Sequence, residues 1–596
     1  MAGIGGGRRT AVWSTVAAVA LVAGSEVLLN HSRHELTPSA LVLNVLLLQA
    51  IVWLLLAVLG SVGLSWALGA TFYLTLAFAN AFKVQHLQSA VHPLDVRYLG
   101  ELWALDGFRS VRAELTAIVG GVVLVLAASG LALGWLALAA PSRRWRAIAG
   151  TGAAATLALF VYAPTSGTLV RGLPMIGVHW PHWNSSRAAR ENGVLLNFVL
   201  HVSDGLSASP PGYGRDAVTA IAARPDLQPA RPARVTAEPA NVILYMVESM
   251  MDPDDLRLRF TEDPTPTLHR LRAATGRSWA ITPGFGGYSA NTEFELLTGF
   301  SMRFLPENSC PYLQYVTRDV PSLVRLFREN GYATTAVHAG ALTFYNYLQV
   351  YPHLGFDRFL SVANEPTTTL DTAGRCPSDD AMVDAIIRES DAHPRFFTFA
   401  FPMSTHWPYD YAARYADSSL DVVDAPLPDA ARAEVKTYVN ALHAADAALG
   451  KLVAHYARDP RHTIIVALGD HLPPLSDEVY RQAGLLADGT AETELRRHRT
   501  PLVVWANFPL AGDAFQASTN FIGALVAERA GVELGEFLAF NRRMRERLGV
   551  LSPFQLLGKP TPSSESDPML ADYRMLQYDL MFGQQYFASL TGELRR

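Results

Sequence analysis
Long apolar stretches dominate the first part of the chain. They cover approximately residues 11–30, 40–60, 62–82, 115–140 and 146–164. Each is close to the length of roughly 20 residues that a helix needs to cross the hydrocarbon core of a bilayer. A cleaved signal peptide is the alternative for the first stretch, but no small-residue cleavage site there is followed by a polar mature start. The pattern therefore predicts five transmembrane helices.

Arginines indicate how these spans are oriented. Arg8 and Arg9 precede the first span, and Arg143, Arg144 and Arg146 lie in the loop between the fourth and the fifth. Five alternating spans place both groups on one side, which the positive-inside rule makes the cytoplasmic side. Everything after about residue 165 is then expected outside the cytoplasm.

Two segments of different composition follow the apolar stretches. Residues 175–204 include Trp180, Trp183 and the apolar run Val194–Leu200, which predict an amphipathic helix at the membrane interface, where indoles concentrate. Residues 205–240 are dense in Pro, Gly, Ala and Arg, as is typical of a linker.

After residue 240, strand and helix patterns alternate, with helical stretches such as 320–330 and 430–455. This alternation predicts a layered α/β domain with a mostly parallel central sheet. The strand candidates are residues 241–247, 333–338, 396–402, 463–468 and 501–506. We accordingly divide the chain into a five-span domain, an interfacial helix with linker, an α/β domain and a C-terminal extension packed on it, at residues 1–170, 171–240, 241–530 and 531–596.

Composition agrees with a membrane-attached protein. The chain has 596 residues, too many for one domain, and 50% of them are hydrophobic, which is high for a soluble protein of that length. The net charge of −5 is not accompanied by a basic block, so nucleic acid is not expected as a partner.

Two cysteines occur in the whole chain, Cys310 and Cys376. If the α/β domain lies outside the cytoplasm, a disulfide between them is favoured over two unpaired thiols.

Candidate chemistry lies at the carboxyl ends of the predicted strands, where α/β sheets collect their reactive groups. The first strand stops at Glu248, and the strand 463–468 leads into Asp470 and His471. Two carboxylates and an imidazole are suitable ligands for a divalent metal. Each of them alone could equally be a solvated residue at a strand end.

Ser289 is the candidate nucleophile. It follows Gly286 and Gly287 and precedes Thr292-Glu-Phe-Glu295, a capping-box pattern that opens an apolar run. Its hydroxyl should therefore lie near a helix N-terminus, where an alkoxide and a phosphate are stabilised, and a nearby metal would lower its pKa further. The alternative is that Ser289 only caps the helix.

Together these segments resemble a known family. Asn241-Val-Ile before Glu248-Ser249, then Gly-Gly-x-Ser289-x-x-Thr-Glu-Phe-x-x-Leu-Thr-Gly and Gly469-Asp-His, resemble the lipoteichoic acid synthase family of membrane phosphoglycerol transferases, within the alkaline phosphatase and sulfatase superfamily. The resemblance covers the anchor and nearly all of residues 241–530. It also includes Asn330-Gly-Tyr332, Phe344-Tyr-Asn346, Gly355-Phe-Asp357 and the segment from Tyr573 to Asp579.

The resemblance implies a metal site and a reaction. One divalent ion, typically Mn²⁺ with Mg²⁺ or Zn²⁺ as alternatives, would be held by Glu248, Ser289, Asp470 and His471. Phosphoglycerol would move from phosphatidylglycerol, or a similar anionic phospholipid, through a covalent Ser289 intermediate to a glycan or glycolipid. His406, in Ser404-Thr-His-Trp-Pro408, would contact the phosphoglycerol.

Two positions depart from the family pattern. Ser289 stands where threonine is usual, which keeps the hydroxyl but removes a methyl group that restricts its rotamer. Tyr347, in Phe344-Tyr345-Asn346-Tyr347, stands where the family has an arginine that contacts the phosphoglycerol. Tyr345 and Tyr347 are thus the candidate substrate contacts in this segment, and the donor head group stays open.

Other functions remain as alternatives: a phosphoethanolamine transferase, a lipoteichoic acid synthase proper, or a sulfatase or phosphatase. A hydrolase of this fold usually has a second metal or a formylglycine motif of the Cys/Ser-x-Pro-x-Arg type, and the sequence after Ser289 does not match that motif. A transporter would need charged side chains inside the spans, which we do not expect here.

The type of host is inferred from the excess of arginine over lysine. Four of the 49 basic residues are lysines: Lys83, Lys436, Lys451 and Lys559. Such arginine bias suggests a GC-rich genome and favours a Gram-negative host. We therefore expect a multi-pass protein of the bacterial inner membrane with a periplasmic catalytic domain that modifies a periplasmic glucan.

Overall fold
The structure is a computed structural model of the chain. It describes residues 2–30, 36–87, 90–93, 95, 142–162, 172–178, 185–202, 209–224, 239–306, 309–340, 344–361, 372–373, 376–407, 409, 415–416, 418–423, 425–486, 490–510, 514–554, 556–558 and 567–594.

The chain divides into two compact units, Met1–Ser207 and Ala208–Arg596. The first is helical in its described part. Its α-helices are α1 (Ala2–Leu28), α2 (Pro38–Leu59), α3 (Val62–Leu87), α4 (Arg143–Tyr162), α5 (Ser185–Asn192) and α6 (Val194–Leu200), with a 3₁₀ turn at Leu173–Ile176.

Two described helices are long and apolar enough to cross a membrane, Pro38–Leu59 and Val62–Ala81, and Val12–Leu28 is a shorter apolar helix. The first three predicted spans are thus helical, and the fifth coincides with α4. The fourth, at 115–140, falls outside the described residues. The anchor of five spans stays a prediction.

The expectation that the spans contain no charged side chains is wrong. Glu26 lies inside the first apolar helix and is fully buried. Its Oε1 accepts hydrogen bonds from the Val194 backbone N–H at 2.8 Å and from the Tyr73 hydroxyl at 3.2 Å. Buried carboxylates need such donors. Glu26 therefore ties the start of α6 to α1 and α3.

The second unit is built on an eight-stranded sheet. In chain order its strands are β1 (Asn241–Val247), β2 (Ser278–Ile281), β3 (Ala333–His338), β4 (Arg358–Ser361), β5 (Phe396–Phe401), β6 (Thr463–Gly469), β7 (Arg499–Ala506) and β8 (Gln516–Ser518). Their order in the sheet is β8-β2-β7-β6-β1-β5-β3-β4. All pairings are parallel except the two made by β7. The predicted mostly parallel α/β domain is confirmed.

Helices flank this sheet. They are α7 (Arg215–Ala222), α8 (Pro266–Thr275), α9 (Ser289–Thr298), α10 (Pro311–Gln314), α11 (Leu323–Glu329), α12 (Tyr347–Leu354), α13 (Asp379–Asp391), α14 (Asp429–Tyr456), α15 (Asp477–Ala483), α16 (Ala491–Arg497), α17 (Thr519–Arg529), α18 (Glu536–Arg547), α19 (Pro568–Met581) and α20 (Tyr586–Thr591). Short 3₁₀ turns lie at Pro253–Leu256, Met302–Phe304 and Phe344–Asn346. Small two-stranded sheets pair Arg259–Phe260 with Val422–Val423, Thr372–Ala373 with Cys376–Pro377, and Leu548–Leu551 with Leu556–Gly558.

The centre of the sheet is its most apolar part. Every residue of β1 and β6 is buried, as expected for parallel strands covered on both faces. Their pairing is in direct register, with Val247 opposite Gly469. A side chain at Gly469 would lie 2.2 Å from the Met250 carbonyl oxygen. Glycine is therefore needed where the two strands leave the sheet together.

The C-terminal extension holds the far end of α9. Gln577 accepts from the Ser301 N–H at 2.8 Å and donates to the Ser301 carbonyl at 2.9 Å. The Tyr573 hydroxyl donates to the Gly299 carbonyl, which also accepts from Asn541 at 2.9 Å. These bonds satisfy backbone groups of the turn that follows the helix, which would otherwise be buried without partners.

The extension also fixes the segment that precedes the sheet. Tyr213 donates to Asp579 Oδ1 at 2.7 Å, and Arg224 forms an ion pair with Asp572. The predicted linker thus contains a helix, α7, that is attached to the second unit.

Candidate active site
Three predicted metal ligands lie side by side because of the register of β1 and β6. Glu248 directly follows β1, and Asp470 and His471 directly follow β6, so parallel pairing delivers all three to one edge of the sheet. Their ligand atoms lie within 4.8 Å of one another, and all three residues are buried. Among the described residues this group matches the expected metal set.

Ser289 joins this group from a separate element. It is the first residue of α9, and Tyr288 before it has a left-handed backbone with φ 62°. The Ser289 hydroxyl donates to Glu248 Oε2 at 3.4 Å and lies 3.5 Å from His471 Nε2. The N-cap position belongs to Tyr288, without a side-chain capping bond, so the Ser289 hydroxyl faces the metal ligands instead of capping the helix.

Backbone groups hold the two carboxylates in place. Asp470 Oδ1 accepts the N–H groups of Ser249 at 2.7 Å and His471 at 2.8 Å, while Glu248 Oε1 accepts the Ser249 hydroxyl at 2.7 Å. Asp470 Oδ2 has no hydrogen bond and points to His471 Nε2, 3.1 Å away. One oxygen of Asp470 is thus used for positioning and the other remains available as a ligand.

The imidazole of His471 has a fixed orientation. Its Nδ1 lies 2.9 Å from the Leu472 carbonyl oxygen, which can only accept a hydrogen bond, and its Nε2 is directed to the two carboxylates. Metal-binding histidines are commonly oriented in this way.

The electrostatics of the site favour a cation. Burial, followed by the charge of Glu248, raises the pKa of Asp470 well above its usual value. Two carboxylates this close oppose each other's ionisation, and a divalent ion between them would remove that penalty. The buried oxygen of Asp470 and the oriented nitrogen of His471 therefore fit a metal, with mixed oxygen and nitrogen donors that suit Mn²⁺, Mg²⁺ or Zn²⁺.

A second acidic group, Asp252, Asp254 and His269, also has converging ligand atoms. Asp252 forms ion pairs with the buried Arg272 and with Arg277. Its charge is already neutralised by arginines, so we do not assign a metal to it.

The predicted substrate residues are placed differently from one another. His406 is half-buried and follows Thr405, whose hydroxyl donates to the Glu248 carbonyl. Tyr345 lies near the metal ligands: burial, then Cys310, Tyr288, Glu248 and Asp470, raises the pKa of its phenol.

Tyr347 packs among aromatic side chains of the core. It is fully buried, and its ring stacks on Tyr351 at 4.7 Å and packs against His338 at 4.7 Å. The position that carries arginine in the family is therefore occupied by a core aromatic residue.

The predicted disulfide is not formed in the structure. Cys310 is buried and Cys376 is half-buried, and both lie among the described residues. The bond stays a prediction.

Sequence reasoning missed the residues that support the ligands. Ser249 has a left-handed backbone, φ 51°, and its carbonyl accepts the Tyr438 hydroxyl at 2.8 Å. Thr292 donates to the Asp470 carbonyl at 2.7 Å. Strained non-glycine residues cluster at functional sites, but nothing in the local sequence signals this one beyond its place next to Glu248.

Comparison with known proteins agrees with this geometry. The family model described as Sulfatase matches residues 240–525. This stretch, a little under half of the chain, is similar to sulfatases. The resemblance to the alkaline phosphatase and sulfatase superfamily is thereby confirmed, and all four residues of the converging group lie inside the sulfatase domain.

A curated relative is the putative cyclic β-1,2-glucan modification protein of Rhizobium meliloti strain 1021. It is 36% identical over 423 residues, which are 68% of this chain and 64% of the relative. The chain thus spans a little under two thirds of that protein's length.

One solved structure shares the fold of a large part of this chain, and a second is similar at a lower TM-score. The Streptococcus pyogenes phosphoglycerol transferase GacH, in complex with sn-glycerol-1-phosphate, has a TM-score of 0.54 and 18% identity, covering 65% of this chain and 99% of that one. The lipoteichoic acid synthase LtaP of Listeria monocytogenes has a TM-score of 0.46 and 17% identity, covering 62% and 97%.

Replacing Asp470 with alanine should remove bound metal. The full-length protein, purified in detergent and dialysed against Mn²⁺, should carry close to one equivalent, and Asp470→Ala should carry almost none because the ligand oxygen and its two backbone anchors are lost. Metal content is measured by plasma mass spectrometry. Asp252→Ala is the matched control; undiminished metal in Asp470→Ala, or loss in Asp252→Ala alone, contradicts the assignment.

The folding stability is expected to depend on pH through Glu295, which lies six residues beyond Ser289 on α9. Burial raises its pKa to about 8 against hydrogen bonds from Thr519, Met302, Asn520 and Ser301. The pKa of Glu295 is higher in the folded protein than in the unfolded chain. The contribution of Glu295 to folding stability is therefore present at low pH and is lost as the pH rises from about 4.5 through 8.

The stability difference between wild type and Glu295→Gln should therefore shift in favour of the variant between pH 5 and pH 8. Urea midpoints at four pH values in this range measure it, with metal concentration held constant. A difference that does not change with pH shows that Glu295 is ionised in the folded protein.

Proposed function
We propose that the protein is a membrane-anchored, metal-dependent phosphotransferase that moves phosphoglycerol from phosphatidylglycerol to an extracytoplasmic glucan through a covalent Ser289 intermediate. The observation that carries this proposal is the convergence of the Ser289 hydroxyl with Glu248 and His471, within 3.5 Å of each. A buried hydroxyl at a helix N-terminus among metal ligands is suited to attack phosphorus.

The transfer has two steps. Ser289 Oγ forms a bond to the phosphorus of the donor lipid, the bond from phosphorus to the diacylglycerol oxygen breaks, and diacylglycerol leaves with a proton. An acceptor hydroxyl then attacks the same phosphorus, the bond from phosphorus to Ser289 Oγ breaks, and the proton lost by the acceptor returns to Ser289. In the first step Glu248 Oε2, to which the Ser289 hydroxyl donates, can receive the serine proton.

Glu248, Ser289, Asp470 and His471 would hold the divalent ion. When bound, it lowers the pKa of the serine hydroxyl and polarises a phosphoryl oxygen. The rest of the site orients these groups: Ser249 and the His471 backbone hold the carboxylates, and the Leu472 carbonyl fixes the imidazole.

The donor and acceptor are proposed on different grounds. Two apolar helices of membrane-spanning length precede the sulfatase domain, which favours a lipid donor and, with the arginine distribution, a catalytic domain outside the cytoplasm. The curated relative is named for modification of a cyclic glucan, which favours a glucan acceptor over a teichoic acid.

Head-group selection should be weak. Tyr347 lies in the core and cannot provide the guanidinium of the family's arginine. Affinity for the head group must then come from His406, Tyr345, the metal and the N-terminus of α9.

The deciding experiment offers labelled phosphatidylglycerol and, separately, phosphatidylethanolamine to the detergent-solubilised protein with Mn²⁺. We expect diacylglycerol release from phosphatidylglycerol by the wild type and none by Ser289→Ala. Ser289→Thr should retain part of the activity, because threonine keeps the hydroxyl and adds only a methyl group. Ser249→Ala is the control for loss of a nearby hydroxyl, with reduced but measurable turnover.

Other outcomes identify the alternatives. Release from phosphatidylethanolamine alone supports the phosphoethanolamine transferase. Release that is undiminished in Ser289→Ala, or no release from either lipid, defeats the proposal.

A further inference from the structure
A buried carboxylate lies on the nucleophile helix one turn beyond Ser289. Glu293 is fully buried, and burial raises its pKa to about 8, while the neighbouring phenols of Tyr351, Tyr312 and Tyr347 lower it in part. The Tyr312 hydroxyl donates to its Oε1 at 3.1 Å. Three phenols from two other segments thus surround one carboxyl group.

Two of these phenols belong to the segment that borders the metal ligands. Tyr347 and Tyr351 are one turn apart on α12 and stack at 4.7 Å. Tyr345, two residues before Tyr347, packs its ring edge-on against Tyr347 at 6.1 Å. The contacts therefore lead from Glu293 through Tyr347 to Tyr345.

The turn formed by Tyr345 and Asn346 has a strained backbone. Tyr345 and Asn346 both have left-handed backbones, with φ 46° and 61°, which costs non-glycine residues free energy and persists only where surrounding contacts impose it. Asn346 donates to the Tyr312 carbonyl at 3.4 Å. Tyr312 thus contacts both Glu293 and the strained turn.

We propose that Glu293 is a positioning residue that holds the Tyr345–Asn346 turn against the metal ligands through its three tyrosine partners. In this chain Tyr347 supports the turn and does not contact the substrate. This role accounts for a tyrosine at the position where the family has an arginine. The Tyr345 phenol is then the group that Glu293 presents to the phosphoryl head group. The catalytic part of this inference rests on the proposed function.

Glu295 provides a matched control on the same helix. It is also fully buried with its pKa raised to about 8, but it accepts from Met302 N–H at 2.8 Å and from Thr519, away from the tyrosines. A purely structural role for a buried glutamate should produce the same behaviour at both positions.

The test is a double-mutant cycle. Glu293→Ala should lower kcat/KM for diacylglycerol release at least tenfold in the wild type but less than threefold in a Tyr345→Ala background, because the turn no longer has a phenol to position. Glu293→Gln, which keeps one acceptor, should recover part of the loss. Glu295→Ala should lower kcat/KM by the same factor in both backgrounds.

Hydrogen exchange gives a readout that needs no substrate. The peptide containing residues 344–351 should exchange at least tenfold faster in full-length Glu293→Ala than in Glu295→Ala, at a temperature where both variants are folded by circular dichroism. If both variants are unfolded, Glu293→Gln and Glu295→Gln replace them.

The outcomes separate the two claims. No turnover with either lipid, together with selective loss of protection in 344–351, defeats the proposed function and leaves the positioning role standing. Unchanged protection in the Glu293 variants, or equal kinetic effects of Glu293→Ala with and without Tyr345, overturns the positioning role.

Discussion
The structure of the second unit depends on the close approach of two buried carboxylates, Glu248 and Asp470. Parallel pairing of β1 with β6 in direct register brings Glu248 and Asp470 out of the sheet as neighbours, and burial raises the pKa of Asp470. Like charges in a buried place are unfavourable unless a cation or a proton compensates them. The supporting hydrogen bonds from Ser249 and His471 keep the pair from moving apart. The sheet thus creates a position that a divalent ion stabilises.

Ser289, the proposed nucleophile, lies on a helix that is held at both ends. At its start, Ser289 faces the metal ligands and Thr292 bonds to the Asp470 carbonyl. At its end, Gly299 and Ser301 are bound by Tyr573, Asn541 and Gln577. Reacting groups need to be held within a fraction of an ångström of their productive geometry, and a helix fixed in this way can supply that. The C-terminal extension therefore supports the proposed active site although it lies outside the residues that match the sulfatase model.

Much of this arrangement could be predicted from the sequence, and the reasons are physical. β1 and β6 are apolar runs bounded by polar residues, so their limits and the ligands that follow them were recognisable. The edge strands β4 and β8 have four and three residues, too few for a period to be visible. Ser249 and Tyr347 contact partners far along the chain, Tyr438 and Tyr312 respectively, and the local sequence pattern does not reveal such contacts. Glu26 was overlooked because one carboxylate hardly changes the hydropathy of a long apolar stretch.

The central claim is that Ser289 carries the phosphoryl group between donor and acceptor. Its most direct test is rapid quenching of the Mn²⁺-loaded protein with phosphatidylglycerol and no acceptor, followed by proteolysis and peptide mass spectrometry. The account predicts a glycerophosphoryl group on the peptide containing Ser289, which disappears when a glucan acceptor is added and is never formed by Ser289→Ala. Turnover of the lipid with no modified Ser289 peptide at any quench time, or a modification that persists in Ser289→Ala, contradicts it.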